Sequence, residues 1–291
     1  ASLGRGQGNW PKQRVMGQLS SIVLPEAAAT LRNLTGVAAL CCYLIFELSL
    51  SPMRKFTASR KLRPSTAVFL ASCFMSMGNA LSTSGFALTA FYRMVTSGQP
   101  VTLTMAAPEP LVWSCGITAG YFIADCVVML RYHADCKREM SSSGMALMWG
   151  HHIISLIMWP YAVLTHKSAV FVSYFLVTEI TNIGQNIFHF CNKSAANPTF
   201  TLVVGVCWLS SFFVFRIVPL PWLLYHYLTL HAQGALGQTA GEAFLSLLTV
   251  PLPFMLNVYW FKMLVGKALR MAKGSEKSGE KDGEKAAAKA E

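Results

Sequence analysis

The stretch GHHIISLIMWPYAVLTHKSAVFVSYFLVTEITNIGQNIFH, residues 150–189, determines the fold that this sequence predicts. It contains two apolar runs, each long enough to cross a bilayer as a helix, joined by a very short turn at residues 165–167. Both runs carry polar side chains at bilayer depth. Ionisable groups inside a membrane are costly, so they usually face a bundle interior or a wet cavity and mark function. The stretch therefore predicts a membrane helix bundle with a polar interior.

The composition of the whole chain is that of a membrane protein. Of its 291 residues, 53% are hydrophobic and 13% are charged, whereas soluble domains carry about 25% charged residues. The net charge is +11, but the basic residues lie at the ends of apolar runs, which argues against nucleic-acid binding and indicates membrane topology. The eight cysteines contain no CxxC pair and lie mostly within apolar runs, so neither a disulfide framework nor a zinc site is expected.

The apolar runs predict an all-α membrane bundle of about seven transmembrane helices. The predicted spans are residues 34–51, 66–92, 111–131, 145–164, 168–190, 199–230 and 243–265. The first is expected to end before Pro52, and the sixth to break at Pro219 and Pro221. Three regions follow: an N-terminal arm (1–33), the bundle (34–270) and a charged, disordered tail (271–291). Lysine and arginine are concentrated on the side that holds the C-terminus, which predicts that this side is cytosolic.

Polar side chains inside the spans form the candidate site. They are Asp125, His151, His152, Glu179, Asn182, Gln185, Asn186, His189 and Arg216. Glu179, Asn182 and Asn186 share one helical face. We interpret the set as one polar chamber built mainly by spans three to six. Interhelical hydrogen bonds are the alternative explanation, and we prefer it for the isolated Asn79 and Asn257, although such bonds contribute only about 0.6 kcal/mol each on average.

Arg216 and the two adjacent histidines carry the chemistry that this chamber could perform. A buried guanidinium needs a counter-ion, and Glu179 and Asp125 are the candidates. Neighbouring residues of a helix point about 100° apart, so only one of His151 and His152 can face a given site. A neutral imidazole there could act as a general base or as a nucleophile in acyl transfer. No metal site is expected, because the histidines lack HxxxH or HxH spacing.

Five segments resemble the TLC-domain family of multi-pass membrane proteins. They are GYFIADCVVML (120–130), GHHIISLIMWPYAVL (150–164), LVTEITNIGQN (176–186), FFVFRI (212–217) and MLNVYWFKMLVGKAL (255–269). The resemblance covers about residues 60–270. The family includes ceramide synthases, translocating-chain-associated proteins and a set named only for the domain. The order Gly-Tyr-Phe-Ile-x-Asp, His-His, Glu-x-Thr, Phe-x-x-Arg and Asn-x-x-Trp is most similar to that last set. The His-Asp-x-x-Asp stretch of ceramide synthases corresponds here to the sequence from Thr178 to Asn182.

The resemblance implies a protein of the endoplasmic reticulum that binds, transports or senses a membrane lipid, or that carries out an unassigned lipid-modifying reaction. In this first hypothesis, the polar chamber holds the lipid head group, and the binding residues are Asp125, His152, Glu179, Asn182, Asn186 and Arg216. A second hypothesis is an acyltransferase that uses acyl-CoA as co-substrate, with His151 or His152 as base or nucleophile. Thr178 and Thr181 depart from the ceramide synthase pattern, which favours the first hypothesis. A third hypothesis is a structural subunit of a larger membrane assembly. No cofactor and no nucleic acid is expected in any of the three.

Overall fold

The computed structural model describes the backbone of residues 14–98, 101–102, 104–194, 196–232 and 240–287. Within these ranges it describes the side chains from 25 to 269, apart from 240, 242 and 243. The regular structure of the described residues is helical throughout. This confirms the predicted all-α fold.

Eleven α-helices follow one another along the described residues. They are α1 (Arg14–Ser59), α2 (Pro64–Val95), α3 (Glu109–Arg131), α4 (His133–Glu139), α5 (Ser142–Leu164), α6 (Ala169–Val177), α7 (Thr181–Lys193), α8 (Pro198–Phe212), α9 (Leu220–Ala232), α10 (Ala240–Thr249) and α11 (Pro251–Ala287). A single 3₁₀ turn (Thr178–Ile180) links α6 to α7, and a π-helical turn (Phe213–Ile217) follows α8.

Five of the helical stretches described are long and apolar enough to cross a bilayer. They are Pro25–Ser59, Glu109–Arg131, Ser142–Leu164, Pro198–Ala232 and Phe244–Leu269, and they correspond to predicted spans one, three, four, six and seven. The second predicted span lies in α2, which has 32 residues but is rich in serine, threonine and alanine. The fifth lies in α6 and α7. The short turn predicted at residues 165–167 is confirmed, since α5 ends at Leu164 and α6 begins at Ala169.

Three boundaries differ from the prediction. Helix α1 begins at Arg14, within the predicted arm, and continues through Pro52 to Ser59; neighbouring groups can compensate for the bond that a proline removes from a membrane helix. Residues 1–13 of the arm lie outside the described residues. The loop predicted at 132–144 contains α4. Helix α11 continues to Ala287, beyond residue 270 where the bundle was predicted to end, and this segment is rich in Ala, Glu and Lys, which are strong helix formers. The disorder of the tail stays a prediction.

Helix α3 lies at the centre of the bundle. Of the residues in its most apolar part 72% are buried, against 17% in α1, and it contacts α1, α2 and α5. Gly116 and Gly120 allow α1 to approach closely. A Cβ at position 120 would lie 2.6 Å from the carbonyl oxygen of Thr35 and 2.6 Å from the Ala38 Cβ. This GxxxG pair therefore sets the distance between the two helices.

Glu139 joins three helices at one end of the bundle. Its Oε1 accepts hydrogen bonds from the hydroxyls of Ser65 (2.6 Å) and Thr66 (3.1 Å), at the start of α2. Its Oε2 lies 2.5 Å from Nζ of Lys193, at the end of α7. The Glu139 side chain is only 3% exposed. Short α4 thus fastens α2 to α7 through one carboxylate.

Replacing this carboxylate by an amide should weaken the bundle and remove part of its acid sensitivity. Burial by itself raises the pKa of Glu139, but hydrogen bonds from Lys193 and Ser65 outweigh it and hold the pKa below the usual value. The carboxylate therefore stabilises the fold above the unfolded pKa, and this contribution is lost as the pH falls through the folded pKa. We expect Glu139→Gln to cost about 1–3 kcal/mol at pH 7.

Denaturant unfolding in detergent at pH 7 and near pH 4 measures both effects. The difference between wild type and Glu139→Gln should shrink at the lower pH, where the wild-type carboxylate approaches protonation. Glu26→Gln is the matched control, because Glu26 is exposed on α1. A pH-independent difference between wild type and the Glu139 variant would contradict the assigned ion pair.

Candidate functional site

A cavity of about 240 Å³ lies between α5, α6, the 3₁₀ turn, the π-helical turn, α10 and α11. Most of its wall is apolar and includes Leu248, Leu252 and Leu256. Polar side chains are contributed by His151, Ser155, Thr178, Glu179, Arg216 and Asn257. The cavity therefore combines a hydrocarbon-like wall with a set of hydrogen-bonding groups, a combination typical of small-molecule sites.

The π-helical turn brings Arg216 into the bundle. Pro219 has no N–H and cannot continue the α-helical bonding of α8. The chain forms a wider turn before it, in which the N–H of Val218 donates to the carbonyl oxygen of Phe213 at 3.0 Å. Arg216 lies within this turn and is only 5% exposed. The prolines thus break the sixth span, as predicted, and the break places a guanidinium at the cavity.

Every nitrogen of the Arg216 guanidinium donates to a protein oxygen. Nε donates to Oγ1 of Thr181 (2.8 Å), and Nη1 donates to Oδ1 of Asn257 (3.3 Å). Nη2 donates to the carbonyl oxygen of Thr178 (3.0 Å) and to Oδ1 of Asn182 (3.1 Å). Two of these acceptors lie in or next to the 3₁₀ turn, which exposes a main-chain carbonyl within the helical run.

Glu179, and not Asp125, is the counter-ion of Arg216. Its Oε1 lies 3.5 Å from Nη2 of Arg216, and its Oε2 accepts a hydrogen bond from Nδ2 of Asn182 at 2.7 Å. Asn182 therefore contacts both members of the ion pair. Side-chain exposure is 7% for Glu179 and 6% for Arg216, so the pair is held away from solvent and its charges are compensated within the protein.

The two histidines point in different directions, as the helical geometry predicted. His151 lines the cavity, with its ring 5.4 Å from those of Phe122 and Trp260. Its nitrogens bond to none of the residues described. His152 lies behind the cavity wall, where its Nε2 is 2.7 Å from Oδ2 of Asp125. Its ring stacks on Phe122 at 4.6 Å, and its Nδ1 is buried without a partner among the described side chains.

The predicted chamber is therefore divided. His151, Glu179 and Arg216 line the cavity, with Asn182 bonded to the ion pair behind them. Asp125 and His152 form a separate buried pair on α3 and α5. Asn186 donates to the hydroxyl of Ser76 on α2 at 2.9 Å and is not in the cavity wall. Placement thus favours His151 over His152 as the histidine that meets a ligand.

Sequence reasoning missed the contribution of α11 to the site. Asn257, which we had interpreted as an interhelical hydrogen bond, does accept one from Arg216 but also lines the cavity beside Trp260. The spacing of three residues places Asn257 and Trp260 on one face of α11, and this signal was present in the sequence. Ser155 of α5 was not singled out either, and it also lies in the wall.

Comparisons with known proteins agree with this architecture. The family model of the TLC domain matches residues 67–266, which extend from α2 into α11 and include every residue of the cavity wall. Searches of curated proteins and of solved structures each returned no match. The chain is a multi-pass membrane protein that belongs to the TLC-domain family.

Proposed function

We propose that this protein binds a membrane lipid in the cavity between α5 and α11 and serves in lipid homeostasis, transport or sensing. The observation that carries the proposal is a cavity, within a membrane bundle, that joins an apolar wall to hydrogen-bonding groups with no partner among the described residues. The apolar wall suits acyl chains, whereas His151, Ser155 and Asn257 suit the oxygens of a head group. The charge distribution of the sequence supports a cytosolic C-terminus, and the family supports the endoplasmic reticulum.

Filling the cavity should displace the lipid without disturbing the fold. Gly150 lies in the cavity wall, and a Cβ built on it meets no heavy atom within 4 Å. We expect Gly150→Phe to compete with the lipid for the cavity, because a benzyl group would fill a large part of its volume of about 240 Å³. Native mass spectrometry of the purified protein should show a defined lipid on wild type and at least about a tenfold lower occupancy on the variant.

Gly85→Phe provides the matched control for this experiment. Gly85 is exposed on α2, and its Cβ would also meet no atom within 4 Å. The control adds the same side chain outside the cavity, so it should retain the lipid at the wild-type level. Equal loss from both variants, or equal retention by both, would contradict the proposal. The structural-subunit hypothesis predicts equal retention, with lipid bound only as a general coat.

The Asp125–His152 pair favours a second candidate function, an acyltransferase that uses acyl-CoA. A carboxylate oxygen 2.7 Å from Nε2 fixes the orientation of the imidazole, as the third group of a catalytic constellation does. One observation argues against His152 as the catalytic base: its side chain is 1% exposed and does not line the cavity. A substrate in the cavity would meet His151 instead. Transfer of the acyl group to a lipid hydroxyl or amine, with release of free CoA, would be seen as CoA production that His151→Ala abolishes.

A further inference from the structure

The cavity contains two charged side chains among the residues described, and they neutralise each other. Glu179 and Arg216 form an ion pair with Oε1 and Nη2 3.5 Å apart, and no other Asp, Glu, Lys or Arg of the described residues contributes to the cavity wall. The second buried pair, Asp125 with His152, shares a hydrogen bond behind the wall. A ligand that enters the cavity therefore meets no excess charge of either sign.

Arg216 is not arranged as an anion clamp. Recognition of a phosphate by arginine usually uses two N–H groups of one edge of the guanidinium, in a fork geometry. Here Nε and Nη2 already donate to Thr181, Thr178 and Asn182, and Nη1 donates to Asn257. Of the five guanidinium N–H groups, only one on Nη1 has no hydrogen-bond acceptor among the described residues. A phosphate held by two N–H groups would therefore have to displace at least one of these bonds, and it would also repel the adjacent carboxylate of Glu179.

The hydrogen-bonding groups that remain for a ligand have no formal charge. The imidazole of His151, the hydroxyl of Ser155 and the Nδ2 group of Asn257 line the cavity, and they make no hydrogen bonds with described residues through those atoms. Together they offer donors and acceptors that match hydroxyl and ester oxygens. Leu252 and Leu256, one turn apart on α11, continue the same wall as an apolar surface.

The volume of the cavity limits how much of a lipid can enter it. A cavity of about 240 Å³ lies just below the range of about 300–1,000 Å³ that is usual for sites that enclose a drug-sized ligand. This is room for a compact head and the beginning of a chain. It is too small for a whole two-chain lipid, so the chains would extend outside it, and the exposed apolar side chains of α10 and α11, such as Leu247, Met255 and Val258, offer them a surface.

We propose, on the basis of the lipid-binding function above, that the cavity selects an uncharged lipid whose head carries hydroxyl and ester groups, as a diacylglycerol does, and rejects the corresponding phosphate monoester. An uncompensated phosphate charge would have to be buried beside a pair that is already neutral, which is costly in a low dielectric. The neutral lipid needs only the unpaired groups of His151, Ser155 and Asn257.

Two lipids that differ only in the phosphate test the proposal. Dioleoylglycerol and dioleoylphosphatidic acid are supplied in equal amounts in phosphatidylcholine vesicles with the full-length protein, and the bound lipid is counted by native mass spectrometry. Wild type should carry dioleoylglycerol in at least about tenfold excess, and Gly150→Phe should lose it. If wild type prefers phosphatidic acid and Gly150→Phe loses it, the selectivity proposal is wrong but lipid binding stands. If Gly150→Phe retains both lipids, the binding function itself is overturned.

A change in the charge of the cavity provides an independent test of the proposed lipid selectivity. Glu179→Gln keeps the shape of the side chain and leaves Arg216 without its counter-ion, so the cavity becomes positive. The ratio of phosphatidic acid to diacylglycerol should then rise by about tenfold or more. An unchanged ratio in folded Glu179→Gln protein would overturn charge selection. Where this variant does not fold, the preference of wild type decides the question.

Discussion

Replacing Arg216 by methionine should destabilise the protein by about 3–5 kcal/mol. The variant leaves the carboxylate of Glu179 buried without its cation, at 5% exposure. It also removes the donors that satisfy Thr178, Thr181, Asn182 and Asn257. Unfolding by denaturant in detergent, followed by circular dichroism, measures the loss of free energy.

A double variant separates the cost of the unpaired charge from the value of the pair. Buried ion pairs can often be replaced by apolar residues at little cost, whereas removal of one member leaves an uncompensated charge. Arg216→Met combined with Glu179→Met should therefore recover at least half of the stability that Arg216→Met loses. If the double variant is less stable than the single one, the two groups do not act as a compensating pair.

Gly120→Leu should produce the second large effect, a loss of about 3 kcal/mol or more. Its Cβ would lie 2.6 Å from the Ala39 nitrogen and 2.6 Å from the Thr35 carbonyl oxygen. Backbone atoms of α1 cannot rotate out of the way as a flexible side chain can, so α1 must separate from α3. Thermal unfolding in detergent should show a clearly lower midpoint.

Gly85→Leu controls for the change in hydrophobicity. A Cβ at Gly85 meets nothing within 4 Å on the exposed side of α2, so this variant should unfold at the wild-type midpoint. Equal midpoints for the Gly120 and Gly85 variants would show that α1 and α3 are not in close contact. Gly116→Leu should behave like Gly120→Leu, because a Cβ built on Gly116 would lie 2.9 Å from the Cβ of Leu34.

Hydropathy and polar placement predicted the fold better than its boundaries. Each of the seven apolar runs lies in helical structure. Within a bilayer the backbone must form all its hydrogen bonds inside the segment, which a helix does, and such a helix appears in the sequence as a long apolar run. The predicted end of the first span was wrong, since a proline such as Pro52 indicates a stop in a soluble helix but is tolerated in a membrane helix. Helix α4 was missed because seven residues of mixed charge carry no such signature.

The candidate site was predictable in its residues and not in its arrangement. Ionisable side chains inside apolar runs identified Glu179 and Arg216 as partners without excluding Asp125. Their pairing depends on a 3₁₀ turn and a π-helical turn, and neither has a reliable sequence pattern. The choice between His151 and His152 depends on the rotation of α5 about its axis, which is set by packing against Phe122 and Trp260.

The most direct test of this account is the lipid content of Gly150→Phe protein beside that of wild type, measured by mass spectrometry after the same purification. We expect wild type to carry a defined lipid that the variant lacks, while both proteins remain folded. A variant that is folded and carries the same lipid at the same occupancy would show that the cavity between α5 and α11 is not where this protein holds a lipid.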